Sequence, residues 1–263
     1  MQFIRLLKLT NSKMRIIMRE IFFKEVFKMY KIVKKEILNP TVTKMEILAP
    51  AVAKKAEPEQ FIILRASSDG ERIPLTVADY DRENGTVTII FQIVGATTKE
   101  LSQKNEGDFI PDFVGPLGKA SELSGLKKVA VVGGGVGCAI AYPVAKKLHE
   151  LGATVHSVVG FRTRDLIILE KEFSAVSDKM VIMTDDGSYG EKGLVTDALK
   201  KLIEDGNKYD EVIVTRSKRT ERQRRLHLRV GCRGLSALSF SSSRFSCSPV
   251  SFHSVHSALS ARC

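Results

Sequence analysis

Four glycines stand at positions 133, 134, 135 and 137, directly after the apolar run Val129-Ala-Val-Val132 and directly before Cys138-Ala-Ile-Ala-Tyr-Pro-Val-Ala-Lys-Lys-Leu148. The run is short and β-branched, as in a parallel strand covered on both faces, and the segment after the glycines has the apolar period of an amphipathic helix. A strand, a glycine turn and a helix in direct succession bring backbone amides to face an anion, and the helix dipole adds to their pull. The implied chemistry is a phosphate cradle, with Gly134, Gly135 and Gly137 against the anion. The spacing differs from G-x-G-x-x-G, because Cys138 stands where the last glycine would be.

Other chemistry-bearing residues lie on both sides. Glu71-Arg-Ile-Pro-Leu-Thr-Val-Ala-Asp79 places a cation, Arg72, a rigid Pro74 and a hydroxyl, Thr76, at one strand end. Ile90-Phe-Gln-Ile-Val-Gly-Ala-Thr-Thr-Lys-Glu-Leu101 puts Gly95, Thr97 and Thr98 at the opening of a short helix, three residues after Gln92. Gly160-Phe-Arg-Thr-Arg164 follows a strand with two cations; they either fork onto a phosphate or are solvated arginines at a helix start. Thr184-Asp-Asp-Gly-Ser-Tyr-Gly190 has the content of a strand-ending turn. Cys138 reads as a small residue packed between helix and sheet rather than an activated thiol, since no histidine is near it in sequence. His149 and His156 are isolated and read as structural. Asp185 and Asp186 are adjacent, which directs them to opposite faces of a strand and away from a paired-carboxylate mechanism. No residue is assigned to a metal.

The elements that must position these groups divide into two kinds. Candidate strands Tyr30–Ile37, Val42–Leu48, Phe61–Ala66, Ile73–Ala78 and Thr86–Val94 are punctuated by Asn39-Pro40, Ala49-Pro50, Ser67-Ser-Asp-Gly70 and Asn84-Gly85. The last pair is a hairpin signal, and the spacing predicts a small antiparallel barrel. From Lys127 strands at Val129–Val132, Thr154–Val159, Met180–Thr184 and Glu211–Val214 alternate with helices near Gly137–Leu151, Arg164–Phe173 and Lys192–Glu204. Such alternation predicts a parallel sheet. The fold class is therefore two-domain, an antiparallel β-barrel over 29–125 followed by an α/β domain over 126–215.

The chain has 263 residues and a net charge of +11, but the charge sits at the ends. Residues 1–28 carry +5 and residues 216–263 carry +9, leaving −3 for the body. A mildly acidic body argues against a basic docking face for nucleic acid on the folded part. Residues 1–28 have apolar residues at helical spacing, interrupted by charge before they reach signal-peptide or membrane length. They read as an extension outside the domain, with a membrane-surface helix or transit peptide as the alternatives, and a cytoplasmic protein is the default. Residues 216–263 hold twelve serines, nine arginines and no aspartate, and read as a disordered tail that follows Val214 abruptly.

Taken in order, Arg-Ile-Pro-Leu-Thr, Gly115-Pro-Leu-Gly118, Gly-Gly-Gly-Val-Gly and Thr-Asp-Asp-Gly-Ser-Tyr-Gly resemble the ferredoxin–NADP reductase superfamily over about Tyr30 to Val214. More narrowly they resemble the branch of dihydroorotate dehydrogenase electron-transfer subunits and the alpha subunit of NADH-dependent ferredoxin–NADP reductase. The resemblance implies FAD in the barrel, with Thr76 at the flavin N5 edge as the catalytic position and Pro74 and Leu75 against the ring. It implies Arg72 as a pyrophosphate ligand, although the arginine stands one place earlier than in R-x-Y-S. Gln92, Gly95, Thr97 and Thr98 complete the implied FAD contacts. Val114-Gly-Pro-Leu-Gly118 is expected as a stiff turn before the second domain.

The second domain would bind NAD(P)H, its pyrophosphate on Gly134, Gly135 and Gly137. Asp186, Gly187, Ser188 and Gly190 would lie near the nicotinamide half, and Arg162 and Arg164 near the adenosine ribose. Such relatives carry a [2Fe–2S] cluster on C-terminal cysteines; here Cys232, Cys247 and Cys263 form no C-x-x-C pair, so the cluster motif is absent. The implied function is electron transfer from NAD(P)H through FAD to a larger flavin or iron–sulfur subunit, a dihydroorotate dehydrogenase catalytic subunit or ferredoxin. The readings from other classes are a basic-tailed RNA- or anion-binding protein and a truncated, inactive reductase.

Overall fold

The computed structural model describes residues 29–216 together with Leu228 and Arg229. Residues 1–28 and most of the expected tail, with its three cysteines, lie outside the described residues.

The first half is an antiparallel barrel of β1 (Tyr30–Asn39), β2 (Val42–Leu48), β3 (Phe61–Arg65), β4 (Arg72–Asp81), β5 (Thr86–Gln92), β6 (Phe109–Ile110) and β7 (Asp112–Leu117), in the order β6-β1-β2-β5-β4-β3-β7. Only Pro111 separates β6 from β7, so one stretch of chain pairs with β1 at one end and with β3 at the other and closes the ring. The expected stiff turn at Val114–Gly118 is corrected here. Most of it belongs to β7, because the barrel needs a last strand to satisfy the edge of β3. Asn84-Gly85 turns β4 into β5 as its sequence predicts, with Gly85 at φ +67°. Ala49-Pro50, read as punctuation, opens the short helix α1 (Pro50–Ala53). Inward residues such as Ile32, Met45, Ile47, Ile62, Leu64 and Ile89 fill the barrel and are fully buried.

Helix α2 (Ala96–Gln103) follows β5 and leads to the closing strands. The second half has β8 (Lys128–Gly134), α3 (Cys138–Glu150), β9 (Thr154–Phe161), α4 (Glu170–Val176), β10 (Lys179–Thr184), β11 (Glu191–Lys192), α5 (Val195–Glu204) and β12 (Glu211–Arg216). The sheet order is β11-β10-β9-β8-β12-β13, parallel from β11 to β12. The strand β13 (Leu228–Arg229) runs antiparallel against Ile213 and Val214 of β12. At this end β12 runs through Arg216, beyond the strand expected at Glu211–Val214, and Leu228 and Arg229 are the other described residues of the segment read as a tail. The helix expected over Arg164–Phe173 is also split. A 3₁₀ turn at Arg164–Leu166 is separated from α4 by Leu169 in a left-handed conformation, φ +59°. Among the described residues no helix is long and apolar enough to cross a membrane.

At the N-terminal ends of the strands, buried His156 Nδ1 lies 2.8 Å from the Tyr209 hydroxyl, and Lys128 Nζ sits 5.7 Å over the Tyr209 ring. Burial, then Lys128 and Lys179, push the His156 pKa below its ordinary 6.5. Below about 6.5 the unfolded chain takes up this proton before the folded one, so stability is full above that pH and declines as pH falls toward the folded value. Thermal unfolding should shift down between about pH 7.5 and pH 5.5, and His156→Gln should flatten that slope. An equal slope in the variant would assign the acid sensitivity elsewhere.

Candidate functional site

Gly133 is closed on one side. A Cβ there would stand 2.9 Å from Cys138 Sγ, 3.2 Å from Cys138 Cα and 3.3 Å from Ala141 Cβ, so α3 approaches β8 only because position 133 has no side chain. Gly134 and Gly135 are open instead: a Cβ on either meets nothing within 4 Å, and Gly135 takes φ +55°. A 3₁₀ turn at Gly135–Gly137 then runs into α3; Cys138 N–H donates back to Gly135 O, so the amides left without helical acceptors are those that open the turn. The result is a cradle with glycine backbone and free N–H groups on its open side, which fits a pyrophosphate. Gly137 is buried, and its carbonyl accepts the Thr215 hydroxyl at 2.9 Å, so it supports the loop from behind. Thr215 carries no sequence signal for that contact, 78 residues away along the chain. Cys138 is fully buried, and burial pushes its thiol pKa up, away from thiolate chemistry.

The next loop outward is built from two segments. Arg164 N donates to Ser188 Oγ at 2.9 Å, and its guanidinium lies 5.4 Å over the Tyr189 ring. Tyr189 Oη donates to Glu170 Oε1 at 2.6 Å, which raises the phenol pKa. Ser188 N and Oγ both donate to Asp186 Oδ1, at 2.9 and 2.7 Å, and hold that carboxyl below its usual range. Gly187 and Gly190, at φ +77° and +65°, make the turn that allows this. The structure therefore brings Asp186–Gly190 onto Arg164, the arm where the adenosine ribose is expected, one strand farther out than Gly134 and Gly135. Arg162 is exposed beside it.

On the barrel, strand alternation separates the expected flavin contacts. Pro74 and Thr76 share one face of β4, while Leu75 packs against the barrel core. Arg72 Nε and Nη2 lie 2.9 and 2.8 Å from Asp112 Oδ2, so its guanidinium is already engaged by β7. At α2 the Thr98 hydroxyl accepts the N–H groups of Val94 and Gly95, each at 3.0 Å, and donates to Gly95 O at 3.0 Å. Those groups cap the helix. The amides of Ala96, Thr97 and Thr98, with the Thr97 hydroxyl, are what this end offers to a phosphate. Gly95 leaves space in front, since a Cβ there meets nothing within 4 Å, and Gln92 is half-buried at the end of β5 opposite Val42. Open glycine and free amides fit an FAD pyrophosphate. Among the described residues no group of three or more His, Cys, Asp or Glu could hold a metal ion, and Cys138 is the only described cysteine.

A closed antiparallel barrel followed by a glycine-looped parallel sheet defines a ferredoxin reductase type of fold. Solved structures with little sequence likeness share it, among them a ferredoxin NADP+ reductase from Neisseria gonorrhoeae with bound FAD and NADP, at 14% identity and a TM-score of 0.57 over 72% of this chain and 85% of that one. No family model matches the chain. A dihydroorotate dehydrogenase B (NAD(+)) electron transfer subunit homolog from Thermotoga maritima is 49% identical over 68% of this chain and 63% of its own length. The electron transfer subunit from Streptococcus pneumoniae is 34% identical over 65% of this chain and 70% of its own. A chain in the structure of an NADH-dependent reduced ferredoxin-NADP oxidoreductase, described with flavin-based electron bifurcation, is 45% identical with a TM-score of 0.67, over 71% of this chain and 67% of that one. The chain belongs to this family of dihydroorotate dehydrogenase electron transfer subunits and related ferredoxin reductases. It spans about two thirds of the length of the curated relatives it matches.

The two kinds of glycine in the loop separate experimentally. Gly133→Ala overpacks the β8–α3 seam and should cost about 1–3 kcal/mol in thermal or urea unfolding. Gly134→Ala should leave the unfolding midpoint unchanged or slightly raised, because φ −130° suits alanine and its methyl meets nothing.

Proposed function

We propose that the chain is the flavin-binding part of an NAD(P)H-dependent electron-transfer oxidoreductase. The observation that carries this reading is the pairing of two open anion cradles, at Gly134–Gly135 and at the α2 N-terminus, on a barrel and sheet of this family. FAD would lie on β4 with its pyrophosphate at the amides of residues 96–98, and Pro74 and Thr76 would face the ring. NAD(P)H would rest its pyrophosphate on Gly134 and Gly135. FAD held there would supply the acceptor for a hydride from the nicotinamide C4. The protein's work is binding and alignment: the backbone cradles fix both dinucleotides, the Thr76 hydroxyl borders the flavin edge, and Gly137, braced by Thr215, keeps the loop in place. Electrons would pass to a partner subunit of the dihydroorotate dehydrogenase or ferredoxin-linked type, in a cytoplasmic setting. The described residues do not supply the four converging thiolates of a [2Fe–2S] cluster, so no step is assigned to one.

Purified protein, denatured, should release FAD visible by its absorbance, and the holoprotein should bleach on addition of NADH or NADPH. A colourless chain that takes up no added FAD overturns the reading; salt-sensitive RNA binding in its place would favour the basic-tail alternative. Gly134→Ala should weaken dinucleotide binding while sparing the fold.

Coenzyme choice would be set at the arm of Arg162 and Arg164. The Arg164 guanidinium lies over the Tyr189 ring and its backbone N–H is held by Ser188, which favours a built anion contact over a solvated cation. Replacing both arginines by alanine should weaken NADPH more than NADH by about 1.5–3 kcal/mol for each lost charge-assisted hydrogen bond, read by titration of each coenzyme. Equal losses would show that the arm does not read a 2′-phosphate.

A further inference from the structure

Two consecutive lysines near the end of α3 reach across to the barrel. Lys146 Nζ lies 2.7 Å from Asp79 Oδ1 on β4, and Lys147 Nζ lies 3.8 Å from Glu57 Oε2. Glu57 is itself held by Arg82 at 2.7 Å. A further ion pair crosses with reversed polarity: Lys44 of β2 lies 3.6 Å from Glu172 of α4. The apolar seam between the domains is made largely of small and β-branched residues, with Val42, Ala78 and Ile90 of the barrel in one cluster with Ala139, Ala141, Val144 and Ala145 of α3. Apolar contact is non-directional and resists sliding weakly. Charge pairs of opposite polarity do resist it, because any slip of one domain along the other lengthens them.

The position of the Lys146–Asp79 pair gives it a specific consequence. Asp79 stands three residues beyond Thr76 on the same strand, and α3 starts at the glycine loop. The pair joins the strand that borders the flavin to the helix that carries the dinucleotide cradle. We infer that Lys146 and Asp79 are positioning residues for hydride transfer: their ion pair sets the angle between the two domains and with it the approach of nicotinamide to flavin. The inference rests on the function proposed above. Side chains about one-third exposed are screened by solvent and add little net stability, so the pair's effect falls on geometry. Geometry is where the reaction is sensitive, since a displacement of about 1 Å can cost about a hundredfold in rate.

The test compares the full chain with Lys146→Met, Asp79→Asn and the exchanged double variant Lys146→Asp/Asp79→Lys. Stopped-flow reduction of the flavin gives the limiting rate and the NAD(P)H dissociation constant separately. Pulsed dipolar spectroscopy on flavin-free protein gives the interdomain distance, from spin labels on Asp69→Cys and Lys200→Cys with Cys232, Cys247 and Cys263 replaced by serine. Each single variant should lose about tenfold or more in limiting rate with dissociation constants within about twofold, and its distance distribution should broaden. The exchanged pair should recover most of the rate and the narrow distribution. An unchanged rate, or an unchanged distribution, overturns the inference even where the melting temperature falls. Should Lys146→Met not fold, Asp79→Asn, which keeps the side-chain shape, carries the same comparison. If the wild-type chain binds no flavin, the functional reading fails on its own and the distance measurement still decides: broadening supports the domain latch, and no broadening removes it.

Discussion

No side chain can stand at position 133 without moving α3, and most of the molecule's working geometry follows from that. With hydrogen in place of Cβ, Cys138 and Ala141 settle directly on β8, and the first turn of the helix meets the end of the strand through the 3₁₀ turn of Gly135–Gly137. The same helix packs across β4 of the barrel through small residues. α3 is thus shared between the sheet that carries one cradle and the barrel that carries the other. A bulkier loop would displace the helix from both at once. Close packing of this kind transmits a displacement rather than absorbing it, which is why the steric demand is concentrated on Gly133 while Gly134 and Gly135 are left facing space.

Charge is arranged to suit the same geometry. At the two proposed cradles the nearby cations are engaged within the protein: Arg72 is held by Asp112, and Lys146 and Lys147 are turned to the domain seam. Fixed amides need no rearrangement when an anion arrives, whereas a flexible lysine must be ordered at an entropic cost. The exception is the Arg162–Arg164 arm, where Tyr189 and Ser188 hold Arg164 in place beforehand.

Local signals carried the sequence reading a long way. The glycine run, the Asn84-Gly85 hairpin and the strand–helix alternation each depend on residues within a few positions, and the barrel and parallel sheet follow from them. What the sequence hid is non-local. Closure of the barrel by Asp112–Leu117 depends on pairing with β3, some fifty residues earlier, and in isolation Gly115-Pro116 looks like a turn. Lys146 meets Asp79 across 67 residues and Thr215 meets Gly137 across 78, separations at which periodicity says nothing. Arg72 and Thr98 were legible as polar groups at the right ends, but not as groups whose hydrogen bonds the fold itself uses. The break in the helix expected over Arg164–Phe173 comes at Ile167, which is extended, and at Leu169, in a left-handed conformation that leucine seldom takes.

The C-terminal edge shows what the sheet needs when its sequence departs from the pattern. β12 is parallel to β8 along its whole length, from Glu211 against Val129 to Arg216 against Gly134, so one edge of β12 is satisfied by the strand that leads to the cradle. Its other edge is met by β13 at only two positions. An edge strand so placed matters beyond its own stability, because Thr215 sits on it and buttresses Gly137 from behind. Fraying of β12 from its outer side would withdraw that hydroxyl and leave the loop held by α3 and by the pairing of Gly133 and Gly134 with β9. The Gly133 contact fixes where the helix begins, and the Thr215 contact fixes how the loop reaches it. The second constraint is the weaker, since it depends on one bifurcated hydroxyl, at 2.9 Å from Gly137 O and 3.3 Å from Val132 O, on a strand with little beyond it among the described residues.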